Sequence, residues 1–215
     1  MRIGVLGTGV VGQMLGGKLV AVGHEVRLGA RSTTNQKAAD WARGVGARAS
    51  HGTFAEAARF GEVLLNCTAG SNSLEALASA GADNLADRIL IDVANPLDFS
   101  RGMPPTLTVC NTDSLGEQIQ RAFPATRVVK ALNTVNAAVM IEPSSVAGAH
   151  DLFICGNDAE AKRAVTAWLR EWFGWQIVHD VGDITAARGT EMILPIWIRL
   201  MLTLGTPRFN FHIQR

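Results

Sequence analysis

The segment Gly7-Thr8-Gly9-Val10-Val11-Gly12 sets three glycines at Gly-x-Gly-x-x-Gly spacing. Residues of this type at this spacing can build a phosphate cradle. Gly7 permits a tight turn, Gly9 lets a pyrophosphate approach bare backbone, and Gly12 lets the following helix pack close to the preceding strand. The pyrophosphate would rest on backbone N–H groups with no partner inside the helix, at the positive end of its dipole. A second group follows at Gly29-Ala30-Arg31-Ser32-Thr33. An NAD site carries Asp or Glu in this region to hold the ribose 2′-hydroxyl. No acid is present here, and Glu25 lies at the far end of the strand. One guanidinium and its neighbouring hydroxyls suit a 2′-phosphate, because Arg binds phosphate through two parallel hydrogen bonds. Lys37 adds positive field. The two groups together predict NADP(H) rather than NAD(H).

Three further segments each close an apolar run: Thr68-Ala69-Gly70, Asn95-Pro96 and Asn133-Thr134. With the glycine turn they form four ends that are small or neutral-polar. Such ends leave room for a flat ring and supply amide hydrogen bonds without charge, which suits a nicotinamide carboxamide. Asn95-Pro96 taken alone also reads as a turn signal. None of the five histidines (His24, His51, His150, His179, His212) falls at one of these ends. No Ser-His-Asp set, carboxylate pair or metal-ligand spacing stands out. Hydride transfer between two stacked rings depends on proximity and orientation rather than on a protein acid or base. No catalytic residue is therefore assigned, although Asn133 is a candidate for orienting the reacting groups.

These positions require strands ending at one edge. Apolar runs at 2–6, 25–28, 63–67, 89–93 and 127–130 read as buried strands, with a short strand at 47–50. Helical patterns fall at 9–22, 35–42, 53–59, 73–80 and 114–122. Thr53/Glu56 and Ser114/Glu117 have capping-box spacing. Strands alternating with helices predict an α/β fold: a Rossmann-type, doubly wound, mainly parallel sheet covered on both faces, with a small C-terminal α/β-helical part. The expected division is residues 1–150 for coenzyme and 151–215 for dimerisation and a wall of the acceptor site. In the second part, 151–155 and 176–178 read as strands. Asn157 would cap a helix that carries Ala161, Val165, Trp168, Leu169 and Trp172 on its apolar face and ends at Gly174. That aromatic stripe reads as core. The helical region 184–204 is apolar on nearly every side after Met192 and should kink or restart at Pro195. Such a helix wants burial on all sides, which a second subunit would provide.

Bulk composition narrows the function classes. The chain has 215 residues, 47% hydrophobic and 18% charged, with a formal net charge of +1, the profile of an ordinary globular protein. That charge gives no argument for nucleic acid or an anionic membrane. Cys67, Cys110 and Cys155 lack Cys-x-x-Cys spacing and read as reduced, buried thiols of a cytoplasmic protein rather than metal ligands. The apolar stretch 192–204 contains Arg199 and is too short to span a bilayer. The regular glycines and Lys18 argue against a signal peptide.

Several segments together resemble the NADPH-dependent reductases of the deazaflavin coenzyme F420. They are Leu6-Gly7-Thr8-Gly9-Val10-Val11-Gly12, Gly29-Ala30-Arg31-Ser32, Val129-Lys130-Ala131-Leu132-Asn133-Thr134, Phe153-Ile154-Cys155-Gly156-Asn157-Asp158 and the apolar C-terminal helix. The resemblance implies a homodimer in which hydride passes directly between two stacked ring systems. It further implies that Thr8, Gly9, Val10, Val11, Arg31 and Ser32 hold the phosphate-bearing half of NADP(H), and that Thr68, Asn95, Asn133 and Thr134 line the nicotinamide. Ala69 and Pro96 lie within the same strand-end segments. Family members can carry Ser-Arg at Ala30-Arg31 and histidine at Asn133. Besides F420 or a flavin, the small-molecule acceptors that remain open are a quinone, a small carbonyl or imine, and a metal chelate. A non-catalytic NADPH-binding sensor is the other alternative.

Overall fold

Strands, most of them rich in Val, Ile and Leu, alternate with helices through most of the computed structural model, which describes residues 1–215. In chain order they are β1 (Arg2–Leu6), α1 (Val10–Ala21), β2 (Glu25–Ala30), α2 (Gln36–Val45), β3 (Ala49–Thr53), α3 (Phe54–Phe60) and β4 (Val63–Asn66). Then come α4 (Ser73–Ala80), α5 (Ala82–Leu85), β5 (Ile89–Asp92), β6 (Leu97–Asp98), β7 (Thr106–Leu107), α6 (Leu115–Ala122), β8 (Arg127–Ala131) and α7 (Ala137–Ile141). The chain closes with β9 (Asp151–Gly156), α8 (Ala159–Phe173), β10 (Ile177–Asp180), α9 (Ala187–Met192) and α10 (Leu194–Leu204).

Eight strands form one sheet in the order β10-β9-β8-β5-β4-β1-β2-β3, and β6 and β7 make a separate hairpin. All pairings in the large sheet are parallel except β8 with β9. From β1 the chain proceeds outward to β2 and β3, then returns to β4 on the other side. The order reverses there, and in open α/β sheets this is where ligands lie, at the carboxyl ends. Successive residues face opposite layers, as strand geometry demands. Ile3, Val5, Val63, Leu65, Ile89, Ile91 and Val129 belong to one core, which α1 and α8 cover with Leu15, Leu19, Leu169 and Trp172. Leu6, Leu64, Leu90 and Val128 belong to the other, under Phe54, Leu77 and Ile119. Burial on both faces explains why these strands read as continuous apolar runs. Trp172 is core and Trp168 packs against it, as the stripe reads in the sequence.

Local expectations need three corrections. The third strand is at 49–53, not 47–50, because β3 pairs with β2 from Val26↔Ala49 onward. The cap of α8 is Asp158, whose side chain accepts from Ala161 N; Asn157 Oδ1 instead accepts from Ile184 N, tying two loops together. Cys110 is exposed, unlike Cys67 and Cys155. The last helical region restarts at Pro195 as the sequence suggests: the helix breaks at Ile193 between α9 and α10, and Pro195 stands in the first turn of α10. Leu194, Trp197 and Ile198 of α10 then pack with Leu97, Phe209 and Phe211. No helix is long and apolar enough to cross a membrane.

Candidate active site

The glycine turn joins β1 to α1 with a separate constraint at each glycine. Gly7 has φ +122°, and a Cβ there would lie 2.5 Å from the Cys67 carbonyl oxygen. A Cβ on Gly12 would lie 2.2 Å from the carbonyl oxygen of Gly7, so α1 reaches the turn only without one. A Cβ on Gly9 would meet nothing within 4 Å, which leaves open space over the backbone. Gly9 caps α1 without a side-chain bond, and the first turn carries no acid. The cradle is therefore open where a phosphate would approach, and the helix dipole favours an anion there.

A cavity of 260 Å³ extends from this turn along β2, with Gly7, Thr8, Gly9, Ala30, Arg31, Asn35, Thr68 and Ala69 in its wall. Arg31 is exposed at its rim. Ser32, also exposed, shares a 2.8 Å hydrogen bond with Thr34. A second cavity of 460 Å³ adjoins it through Cys67, Thr68 and Ala69. Its wall runs from Val10 and Val11 past Val93, Asn95, Leu97, Phe99, Asn133, Val135 and Met140 to Leu194 and Trp197, with no charged side chain. The outer cavity thus offers a guanidinium and bare backbone, with the Glu75 carboxylate also in its wall, and the inner one an apolar slot with a few amides.

The inner amides form an ordered pair. Asn133 Nδ2 donates to Asn95 Oδ1 at 3.0 Å and to the Thr190 carbonyl at 3.1 Å, while Asn95 Nδ2 donates to the Asn133 carbonyl at 2.7 Å. Asn133 Oδ1 is buried without a partner. An orphaned buried acceptor costs free energy until it meets a donor, and a carboxamide N–H would satisfy it. The Thr68 hydroxyl donates to Asn66 Oδ1 at 2.7 Å. Burial, reinforced by the negative Asp92, pushes the Cys67 thiol far up, so it supplies no thiolate.

The sequence-selected residues largely converge. Gly7, Thr8, Gly9 and Arg31 meet in the outer cavity, Val10, Val11, Asn95 and Asn133 in the inner one, and Thr68 and Ala69 in both. Gly12 supports the turn from behind. Pro96 and Thr134 do not reach the cavity wall. Pro96 is buried, and its carbonyl accepts from Thr108 N at 2.8 Å; Thr134 is likewise buried. Leu194 and Trp197 enter the site from far along the chain and could not be placed from local pattern.

Behind the site lies a charged cluster that the sequence reading left without a role. Lys130 Nζ donates to Asp92 Oδ2 at 2.8 Å and lies 2.7 Å from Glu191 Oε1. All three side chains are essentially inaccessible to solvent. Burial alone would push the lysine pKa down. Asp92 and Glu191 outweigh it and hold the ammonium above its ordinary value. The signal available in the sequence was a Lys and an Asp at the ends of otherwise apolar strands.

Comparison with known proteins agrees with this geometry. Residues 2–96 match the family described as NADP oxidoreductase coenzyme F420-dependent. A crystal structure from Arthrobacter sp. FB24, provisionally named an F420-dependent NADP-reductase, is 51% identical over the whole of both chains, with a TM-score of 0.96. Metalloreductase STEAP3 of Rattus norvegicus is 30% identical over 210 residues, 95% of this chain and 39% of that protein. The F420-dependent NADP reductase of Methanocaldococcus jannaschii is 29% identical over 119 residues, 55% of this chain and 52% of that protein. The chain thus spans about half or less of the length of these two curated relatives. A glycine turn open to a phosphate, an Arg-bearing loop after β2 with no acid, and full-length similarity at 51% identity point the same way: the chain belongs to the coenzyme F420-dependent NADP oxidoreductase family.

Proposed function

We propose that this protein is an enzyme that binds NADP(H) across the carboxyl edge of its sheet and passes hydride between the nicotinamide and a deazaflavin such as coenzyme F420, or a flavin-like ring. The observation that carries the reading is the continuity of two unlike cavities, one with a guanidinium and open backbone, the other apolar and uncharged. NADPH, when bound, supplies the hydride. The backbone at Thr8, Gly9, Val10 and Val11 holds pyrophosphate, and Arg31 with Ser32 holds the 2′-phosphate. Thr68, Asn95 and Asn133 orient the carboxamide, with Asn133 Oδ1 accepting its N–H. Val10, Val11, Met140, Leu194 and Trp197 exclude water from the reacting faces.

No acid, base or imidazole lines the inner wall, so the protein delivers no proton at the site of transfer. That arrangement suits a stacked ring whose accompanying proton comes from solvent, and its rate depends on proximity and orientation. In this reading residues 1–150 bind coenzyme, and 151–215 supply the α10 wall and the contact of a cytoplasmic homodimer. Exposed Ile196, Leu202 and Leu204 on α10 support that contact.

The resemblance to a metalloreductase along 95% of the chain supports a second reading with a metal chelate as acceptor. An uncharged wall is a poor site for an anionic chelate, which favours the ring. Anaerobic mixing of NADPH with F420, FMN, FAD, a ferric chelate and simple cyclic imines or ketones separates these cases. Oxidation of NADPH by the deazaflavin or flavin is the expected outcome. Oxidation by the chelate or imine alone would replace the acceptor assignment, and tight binding without turnover would make the protein a sensor.

A further inference from the structure

We propose that Lys130 is a positioning residue for the inner cavity, its ammonium fastening the strand ends that carry Thr68, Asn95 and Asn133 to the helical arm that carries Leu194 and Trp197. This rests on the coenzyme reading given under Proposed function.

The sheet register creates the cluster. Asn66 pairs with Asp92, and Asp92 with Lys130, on the neighbouring strands β4, β5 and β8. Partners in register point to the same face, so three polar side chains stand side by side where the apolar runs end. Glu191 of α9 closes the group from the far end of the chain. The ammonium has three protons and three acceptors: Asp92 Oδ2 at 2.8 Å, Glu191 Oε1 at 2.7 Å and the Ala94 carbonyl at 2.5 Å.

Each acceptor connects through a short chain of bonds to a residue of the cavity. Ala94 precedes Asn95. Glu191 follows Thr190, whose carbonyl accepts from Asn133 Nδ2. Asp92 Oδ1 accepts from Asn66 Nδ2 at 2.8 Å, and Asn66 Oδ1 in turn accepts from the Thr68 hydroxyl at 2.7 Å. Glu191 also accepts from the backbone N–H groups of Leu115 and Gly116 at 2.9 and 3.0 Å, fixing α9 against the start of α6. A buried ion cluster adds little net stability over a well-packed apolar group of the same volume. Its distinctive product is direction: each bond fixes one carbonyl or carboxylate, and through it one side chain of the site. Small displacements of an oriented reacting group are costly in hydride transfer. Lys130 touches neither cavity and acts only through these neighbours.

The test compares NADPH with 2′-phospho-ADP-ribose, which lacks the nicotinamide ring and occupies only the outer cavity. Calorimetric titration of wild type, Lys130→Met, Glu191→Gln and Arg121→Ala with both ligands gives the readout. Lys130→Met and Glu191→Gln should bind NADPH about tenfold more weakly, as for loss of one well-oriented hydrogen bond, and should bind the fragment as wild type does. Arg121→Ala removes a surface ion pair with Asp113 on α6 and should change neither affinity, separating positioning from general loosening. If Lys130→Met does not fold, Glu191→Gln decides alone: it removes the charge facing the ammonium, and its single amide oxygen keeps one of the two backbone contacts to α6. Equal losses for both ligands, or no loss for either, overturn the positioning role while the coenzyme reading stands. A wild-type protein that binds neither ligand overturns both.

Discussion

Gly9 and Gly12 sit three residues apart, and the structure gives them opposite vulnerabilities. A Cβ at Gly9 would meet open space, whereas one at Gly12 would press on the Gly7 carbonyl at 2.2 Å. Gly9→Ala should therefore leave thermal unfolding unchanged and weaken NADPH binding, because the methyl group occupies the path of the pyrophosphate. Gly12→Ala should cost roughly 1–3 kcal/mol in chemical denaturation, the usual range for overpacking. Loss of stability in Gly9→Ala, or full coenzyme affinity, would contradict the assignment. In the proposed reading Arg31 selects the coenzyme. A hydrogen bond to a charged group is worth roughly 1.5–3 kcal/mol, so Arg31→Ala should weaken NADPH binding by about one to two powers of ten and leave NADH nearly untouched. Equal losses for the two coenzymes would remove the 2′-phosphate role. The glycine spacing and the absence of an acid after β2, on which these predictions rest, are local facts legible in the sequence.

Helix α6 shows an element held in place from several directions. Ser114 Oγ accepts from Glu117 N at 3.1 Å, and Arg121 forms a two-pronged pair with Asp113 at 2.9 and 2.8 Å. The Arg121 guanidinium holds the Asp113 carboxyl well below the ordinary carboxylate range. A depressed carboxylate pKa adds stability above the unfolded value and loses it as pH falls through that value toward the folded one. Asp113→Asn should thus lower stability at neutral pH, and its difference from wild type should shrink below about pH 4. Urea midpoints across the acid range check this; parallel curves for the two proteins would show that the pair contributes nothing. The start of α6 was readable from Ser114 and Glu117. Glu191, which binds the same N-terminus from 75 residues away, was not, because nothing local links the two segments.

For the molecule as a whole, α10 returns to the sheet and closes one wall of the inner cavity with Leu194 and Trp197. Trp197 is 7% exposed, lines the cavity and stacks on Phe209 at 5.1 Å between ring centroids. Trp197→Ala should cost about 3 kcal/mol of stability and raise KM for the ring acceptor more than for NADPH. A KM for the acceptor that stays at the wild-type value would take the residue out of the site wall. The outer side of α10 exposes Leu202 and Leu204 at 52% and 55%. Sedimentation velocity should find a dimer that Leu202→Glu converts to monomer, and a monomeric wild type would end that reading.

The sequence by itself determined the glycine turn, the Arg-bearing loop without an acid after β2, the alternation of strands and helices, and the small neutral strand ends. Each is written within a few neighbouring residues, where spacing and turn chemistry act. Only tertiary structure decided that β8 and β9 run antiparallel, that Thr134 and Pro96 stay out of the wall, that Trp197 joins the wall, and that Glu191 packs against Lys130 behind it. These outcomes depend on sheet register and on how the C-terminal arm packs. Both are long-range contacts that local periodicity does not encode.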